Sequence, residues 1–149
     1  MTEDLQQRAQ KLFEAQGTLE SNMDAVQQRL ELVRAVLTSY RNGLAVLEEM
    51  EKRKGGEEIL TSIGGNVFIE AQLANLETVT RDIGSGVRIV QGLHDAKKEI
   101  EENIANFEQQ YSRLAKDYQS IVMQAASVNA QIQELAAQKQ AQEEQPKGV

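Results

Sequence analysis

An apolar residue recurs at every seventh position along two long stretches of this sequence. In the first stretch these residues are Leu5, Leu12, Leu19, Val26, Val33, Tyr40 and Leu47. In the second stretch they are Leu93, Ile100, Phe107, Leu114, Ile121, Val128 and Leu135. A seven-residue apolar repeat sustained over this many turns is typical of a coiled coil, and no proline interrupts either stretch. The repeats therefore predict two long helices that pair along an apolar seam.

The repeats also divide the chain. Residues 1–54 are predicted to form the N-terminal coiled-coil helix, which the basic residues and glycines at 52–56 would end. Residues 92–141 are predicted to form the C-terminal coiled-coil helix, and the polar residues 142–149 a disordered tail. Because two helices of similar length flank a short insert, we expect them to form an antiparallel hairpin.

The insert, residues 57–91, has a different pattern. Val67 and Ile69 alternate with Phe68 and Glu70, which is the two-residue period of a β-strand. Glycines that follow Ile63 and Ile83 predict tight turns or bulges. We predict four strands, two hairpins in sequence, at residues 58–63, 66–74, 76–82 and 86–91. The predicted fold class is α+β, mainly α: a long antiparallel coiled-coil hairpin with two inserted β-hairpins.

Two hairpins of this size cannot cover both of their faces, and isolated strands are only marginally stable in water. Their open edges favour pairing with other chains. We therefore predict that residues 57–91 form the oligomerisation hub of a larger assembly. The candidate assembly residues are the apolar ones that alternate along the strands: Ile63, Val67, Ile69, Leu73, Val79, Ile83, Val87 and Ile89.

Charged residues beside the seam suggest how the two helices align. Residues at the e position of antiparallel coiled coils face each other, and exposed ion pairs there add about 0–1 kcal/mol each. Two pairs of opposite charge share one alignment: Arg41 with Glu101, and Arg34 with Glu108. In that alignment Leu47 lies near Leu93 and Leu5 lies near Leu135, so both chain ends meet at the far tip.

The seam is weaker at this tip, where Ala9, Gln16 and Ala125 occupy seam positions. Apolar residues nevertheless accumulate there, and several of them lie off the seam. We expect a frayed tip with exposed apolar surface, and such patches usually bind a partner. The candidate binding residues are Leu5, Leu12, Phe13, Val122, Met123, Val128, Ile132 and Leu135.

Two strand segments carry a family resemblance. IleGlyGlyAsnValPheIleGluAla at 63–71 and ValThrArgAspIleGlySerGlyValArgIleVal at 79–90, set between two long helices, resemble the α-type subunits of archaeal prefoldin. The resemblance covers nearly the whole chain, and the two Ile-Gly strand motifs are its most specific part. The family often has proline before the first Ile-Gly motif, where this chain has Ser62.

The resemblance implies a hexamer of two α and four β subunits, whose hairpins form a double β-barrel hub. It further implies that the coiled-coil tips hold non-native proteins without ATP and pass them to a group II chaperonin. The candidate binding residues at the tip would then contact client proteins. The implied protein is a cytoplasmic chaperone subunit that needs no cofactor. The alternative is a structural coiled-coil spacer or tethering subunit of a complex.

Composition excludes other function classes. The net charge of −7 argues against nucleic acid as a partner, because such proteins need a basic face. The absence of cysteine fits a reducing compartment, and no apolar run approaches the roughly 20 residues of a membrane span. Gly84-Ser85-Gly86 lacks the context of a dinucleotide loop, and His94 has no neighbouring metal ligand. The sequence therefore predicts neither an enzyme nor a metal site.

Overall fold

The computed structural model describes residues 2–145 and residue 148, and it contains two long α-helices with two β-hairpins between them in the sequence. The elements are α1 (Thr2–Glu51), β1 (Glu58–Gly64), β2 (Val67–Gln72), β3 (Thr78–Gly84), β4 (Val87–Gly92) and α2 (Leu93–Glu143). This confirms the predicted fold class, α+β and mainly α. In the predicted tail, Gln142 and Glu143 belong to α2, and residues 146, 147 and 149 lie outside the described part of the chain.

Helix α1 ends before its basic residues rather than within them. The backbone N–H of Lys52 donates to the Glu49 carbonyl at 3.1 Å, and the Lys52 and Arg53 side chains lie 3.7 Å and 3.5 Å from the Glu49 carboxylate. Gly55 and Gly56 then adopt φ values of 92° and 78°. Because this left-handed region favours glycine, the helix cannot continue through them.

The described chain divides into two compact units, Met1–Arg34 with Gln110–Val149, and Ala35–Gln109. In the second unit the two helices contact each other directly. The rings of Tyr40 and Phe107 lie 5.4 Å apart, and Arg41 Nη2 lies 2.9 Å from Glu108 Oε1. The buried apolar residues of the described chain all belong to this unit: Leu37, Leu47, Leu93 and Ala96.

The helices pair one heptad away from the predicted alignment. Arg41 contacts Glu108 and not Glu101, so the predicted Arg41–Glu101 pair is wrong. In the first unit the same shift places Leu19 beside Val128, since the two residues line one groove. The error has a physical cause. A shift of seven residues returns every residue to an equivalent position of the repeat, so the apolar pattern fits both alignments equally well.

The two hairpins have the same design. In each, the strands are antiparallel, the ladder is interrupted before the turn, and two residues with positive φ form the loop. Positive φ at both loop residues is the type I′ geometry, whose twist matches that of the strands. The interruptions lie between Ser62 and Gly64 and between Asp82 and Gly84, and the loops are Gly65–Asn66 and Ser85–Gly86.

A short turn separates the hairpins, so β2 ends earlier than predicted and β3 begins later. Asn75 Oδ1 accepts a hydrogen bond from the Glu77 backbone N–H at 2.8 Å, and Asn75 Nδ2 donates to Thr78 Oγ1 at 3.1 Å. Asparagine often replaces a backbone turn in this way. Strand β2 therefore ends at Gln72 and not at residue 74, and β3 begins at Thr78 and not at residue 76.

Candidate functional site

One face of the β3–β4 hairpin is attached to helix α2. Val79 pairs with Gln91 and Arg81 pairs with Ile89, so these four half-buried residues share a face. Arg81 Nη1 donates to Gln91 Oε1 at 3.1 Å and also to Glu99 of α2. Gln91 Nε2 donates to Glu99 Oε1 at 2.9 Å. The hairpin is thus fixed to its own chain by a three-residue polar network.

This network has an electrostatic consequence. The hydrogen bond from Gln91, followed by that from Arg81, lowers the pKa of the Glu99 carboxyl below its ordinary value of 4.5. A second pair joins the two helices, where Lys97 Nζ lies 3.2 Å from Glu51 Oε2, and this hydrogen bond raises the pKa of Lys97. Because exposed pairs contribute little free energy, these contacts chiefly fix orientation.

Among the described residues, no polar network of this kind attaches the equivalent face of the β1–β2 hairpin. Ile59 pairs with Ala71, and Thr61 pairs with Ile69. Thr61 and Ala71 stand where the second hairpin has Arg81 and Gln91, so a short hydroxyl and a methyl group replace the long guanidinium and amide donors. Ile59 is 38% exposed and Ile69 is 47% exposed. The first hairpin therefore presents an apolar face that its own helices leave partly uncovered.

The structure places the eight candidate assembly residues in two environments. Five are exposed: Ile63, Val67, Ile69, Ile83 and Val87. Three are half-buried: Leu73, Val79 and Ile89. Their contact with other subunits remains a prediction.

Sequence reasoning missed four exposed apolar residues of the hairpins: Ile59, Leu60, Phe68 and Val90. Phe68 pairs with Ser62, and Val90 pairs with Thr80, which places both on the face opposite to the predicted one. The two-residue alternation assigns only one face to apolar contacts, so it discarded these residues. The sequence did carry a signal for them. In β1, β2 and β4, apolar residues occupy both odd-numbered and even-numbered positions, so both faces of the strands are partly apolar.

In the first unit, the structure brings four of the candidate client-binding residues together. They line one groove of about 450 Å³ between α1 and α2 with Ala9 and Ala136, and the four are Leu5, Phe13, Ile132 and Leu135. Phe13 is 59% exposed. The small side chains of Ala9 and Ala136 leave the groove open. Its rim carries Gln6, Lys139, Gln142 and Glu143.

The other four candidates are distributed over the same unit. Leu12 lines a separate groove with Leu135, and Val128 lines one with Leu19. Val122 and Met123 belong to none of these grooves, and Met123 is 73% exposed. The apolar surface of this unit is therefore spread over several shallow sites.

The exposure in the first unit does not come from unwound helix, which corrects the expectation of a frayed tip. Both helices continue through the described residues, from Thr2 in α1 to Glu143 in α2. No described residue of the unit is fully buried. A polar contact crosses the seam, where Gln16 Nε2 donates to Asn129 Oδ1 at 2.8 Å. The seam is shallow because small and polar residues occupy it.

Within residues 2–145 and 148, no cluster of three or more His, Cys, Asp or Glu side chains has the geometry to hold a metal ion. Among these same residues, no helix combines the length and the apolar character that a bilayer span requires.

Comparisons with known proteins agree with one another. The family model described as "Prefoldin subunit" matches residues 19–138. The chain is 30% identical over 122 residues to prefoldin subunit alpha of Archaeoglobus fulgidus, which covers 82% of this chain and 87% of that protein. It is 27% identical over 132 residues to prefoldin subunit alpha of Methanobrevibacter smithii, which covers 89% of this chain and 90% of that protein.

A solved structure has the same fold. It is the cryo-EM structure of filamentous PFD from Methanocaldococcus jannaschii, and one of its chains matches with a TM-score of 0.57. The match covers 83% of this chain and 97% of that chain, at 19% sequence identity. At this identity the likeness concerns the arrangement of helices and hairpins.

Proposed function

Because this chain belongs to the prefoldin family, we propose that it captures non-native proteins without ATP and delivers them to a group II chaperonin. The proposed binding surface is a set of eight apolar residues of the first unit. It comprises the eight candidate client-binding residues: Leu5, Leu12, Phe13, Val122, Met123, Val128, Ile132 and Leu135.

One observation carries the proposal: no described residue of the first unit is fully buried, although the unit is rich in apolar side chains. Each side chain that a client buries could contribute up to about 1.5–3 kcal/mol to the free energy of binding. The contribution is smaller where the side chain is already half-buried in the free chain. Apolar burial is non-directional, so a shallow and divided surface can hold clients of unrelated sequence. Several such units acting together would gain affinity through multivalency.

The second part of the proposal concerns assembly. We infer that the hairpins join this chain to one-hairpin β subunits in a cytoplasmic hexamer of two α and four β subunits. The exposed apolar residues and the open strand edges of the hairpins support this inference, because both are costly in an isolated subunit. The filamentous relative shows that other assemblies exist among proteins with this fold.

The experiment is aggregation suppression. The full chain, co-expressed with a one-hairpin prefoldin subunit, is mixed with a chemically denatured model protein in the absence of nucleotide, and light scattering is followed. The test variant changes Phe13→Ser and Met123→Ser together, which removes two widely exposed side chains. The matched control is Leu32→Ser, because Leu32 is 68% exposed in the same unit and is not a candidate.

We expect the double variant to suppress aggregation clearly less well than the parent, with unchanged thermal stability and unchanged assembly mass. The control variant should protect as well as the parent. If the double variant also protects fully, the first unit does not bind clients in the proposed way. If the parent assembly itself suppresses no aggregation, the spacer alternative is favoured.

A further inference from the structure

A groove of about 400 Å³ lies in the second unit, where the last turns of α1 approach the first hairpin. Its apolar walls come from Ala45, Val46 and Met50 of α1, and from Ile59 and Leu73 of the hairpin region. Val46 is 58% exposed and Ile59 is 38% exposed. The second hairpin has its equivalent face attached to α2 through Glu99, whereas this groove remains open.

A glycine one helical turn before the groove residue Val46 has no explanation within the chain. Gly43 lies inside α1, where glycine costs roughly 0.5–1 kcal/mol relative to alanine. A Cβ atom at this position would meet no atom within 4 Å, so intrachain packing does not require glycine. Gly43 lies three residues before Val46, and therefore on the same side of the helix. The space above it leaves room for a side chain from another molecule.

The charge around the groove is negative. Glu49, Glu57 and Glu58 line it together with one cation, Arg53. Arg53 lies 3.5 Å from both Glu49 and Glu57, so these two carboxylates share it. No hydrogen bond or ion pair of the Glu58 side chain occurs among the described residues. An occupant that complements the rim carries a positive charge next to its apolar side chain.

The neighbouring strand defines the shape of the occupant. Within the part of the chain that the structure describes, β1 pairs only with β2, which leaves the other edge of β1 open. Glu58 and Ile59 at the start of β1 also line the groove. A strand added to an open edge presents alternate side chains to one face. Its backbone could therefore hydrogen-bond to the open edge of β1 while one of its side chains enters the groove.

We propose that this groove, together with the α1 surface at Gly43, receives a strand of the one-hairpin partner subunit that carries an apolar side chain beside a lysine or arginine. The contact extends the subunit interface from the hairpins onto the coiled coil. It rests on the proposed assembly with a one-hairpin partner, and it is independent of client binding.

The first test measures access to the groove. The chain contains no cysteine, so single-cysteine variants label cleanly. Val46→Cys places a thiol in the groove, and Glu48→Cys places one on an exposed position on the other side of the same helix, outside the groove. In the assembly with the partner, Val46→Cys should react with a maleimide about tenfold more slowly than in the isolated chain, because access then requires local opening. Glu48→Cys should react at the same rate in both.

The second test identifies the occupant. A photo-crosslinking amino acid at position 46 should capture a strand of the one-hairpin partner that contains a lysine or arginine. Glu58→Lys should raise the dissociation constant about fivefold at low salt, with a smaller effect at high salt. The matched variant Glu70→Lys changes an exposed carboxylate of β2 that does not line the groove, and it should have no effect.

The outcomes separate this inference from the proposed function. Equal labelling of Val46→Cys in the assembly and in the isolated chain would overturn the inference, while aggregation suppression would still support the chaperone role. Crosslinks to a second copy of this chain or to a client would also overturn it. If no assembly forms with any one-hairpin subunit, the inference and the proposed hexamer both fall.

Discussion

Two leucines of α1 allow a direct measurement of what the coiled-coil seam contributes to stability. Leu37 is 4% exposed and Leu32 is 68% exposed, and the two lie five residues apart in one helix. Leucine-to-alanine changes at fully buried sites cost about 2–5 kcal/mol. For Leu37→Ala we expect the lower part of this range, because a thin two-helix seam can partly collapse around the deletion.

Leu32→Ala is the matched control, since it removes the same atoms from the same helix. About a third of the Leu32 surface is covered, so the loss of transfer free energy should stay below about 1 kcal/mol. Alanine is also the better helix former, which offsets part of that loss.

The measurement is urea unfolding of the isolated chain, followed by circular dichroism at one protein concentration. The expected result is a difference of at least about 1 kcal/mol between the two variants, with equal slopes of free energy against urea. Equal losses of stability would refute the assignment of Leu37 to the buried seam. A changed slope of free energy against urea in one variant would show that the substitution had changed the surface exposed on unfolding.

Three further predictions concern other contacts. A double-mutant cycle on Arg41→Glu and Glu108→Arg should give a coupling of about 0.2–1 kcal/mol that shrinks with salt, and zero coupling would contradict the observed alignment. The folded-state pKa of Glu99 is lowered, so the stability that its carboxylate contributes is present above the unfolded-state pKa and is lost as the pH falls through the lower folded-state pKa. Glu99→Gln should therefore flatten the loss of thermal stability on acidification below pH 4.5. Ile69→Asp should abolish assembly with a one-hairpin subunit in light scattering while Gln72→Asp on the same strand should not, and normal mass in both would contradict the hub.

The helices and hairpins could be predicted because their periods are strong and nothing interrupts them. The strand boundaries were less well predicted where a side chain, and not a period, decides them. Asn75 closes a turn by bonding the Glu77 backbone and the Thr78 hydroxyl, which ends the alternation early. Such a turn depends on one side chain folding back, and apolar alternation carries no information about it.

The alignment of the helices could not be read from the repeat. Arg41 has two acidic residues at equivalent repeat positions, Glu101 and Glu108, and their charges are identical. The choice between them depends on how the chain enters and leaves the hairpins, and on which polar groups meet in the seam. The Gln16–Asn129 hydrogen bond is one such contact, and the apolar repeat carries no information about it.

The exposure and grouping of the candidate client-binding residues could be predicted only in part, again because the repeat does not define the helix alignment. Off-seam residues such as Phe13 and Met123 are exposed, as the heptad positions indicated. The groove formed by Leu5, Phe13, Ile132 and Leu135 depends on the observed alignment, so periodicity alone could not define it.

The matching hairpins have a genetic consequence. Their turns, bulges and strand ends recur twenty positions apart, so Gln72 closes the first hairpin as Gly92 closes the second. An in-frame deletion of residues 73–92 would join Gln72 directly to Leu93, the first residue of α2. The product would keep one complete hairpin and both helices. A single tandem duplication or deletion of this short segment is therefore enough to interconvert two-hairpin and one-hairpin subunits within one gene lineage.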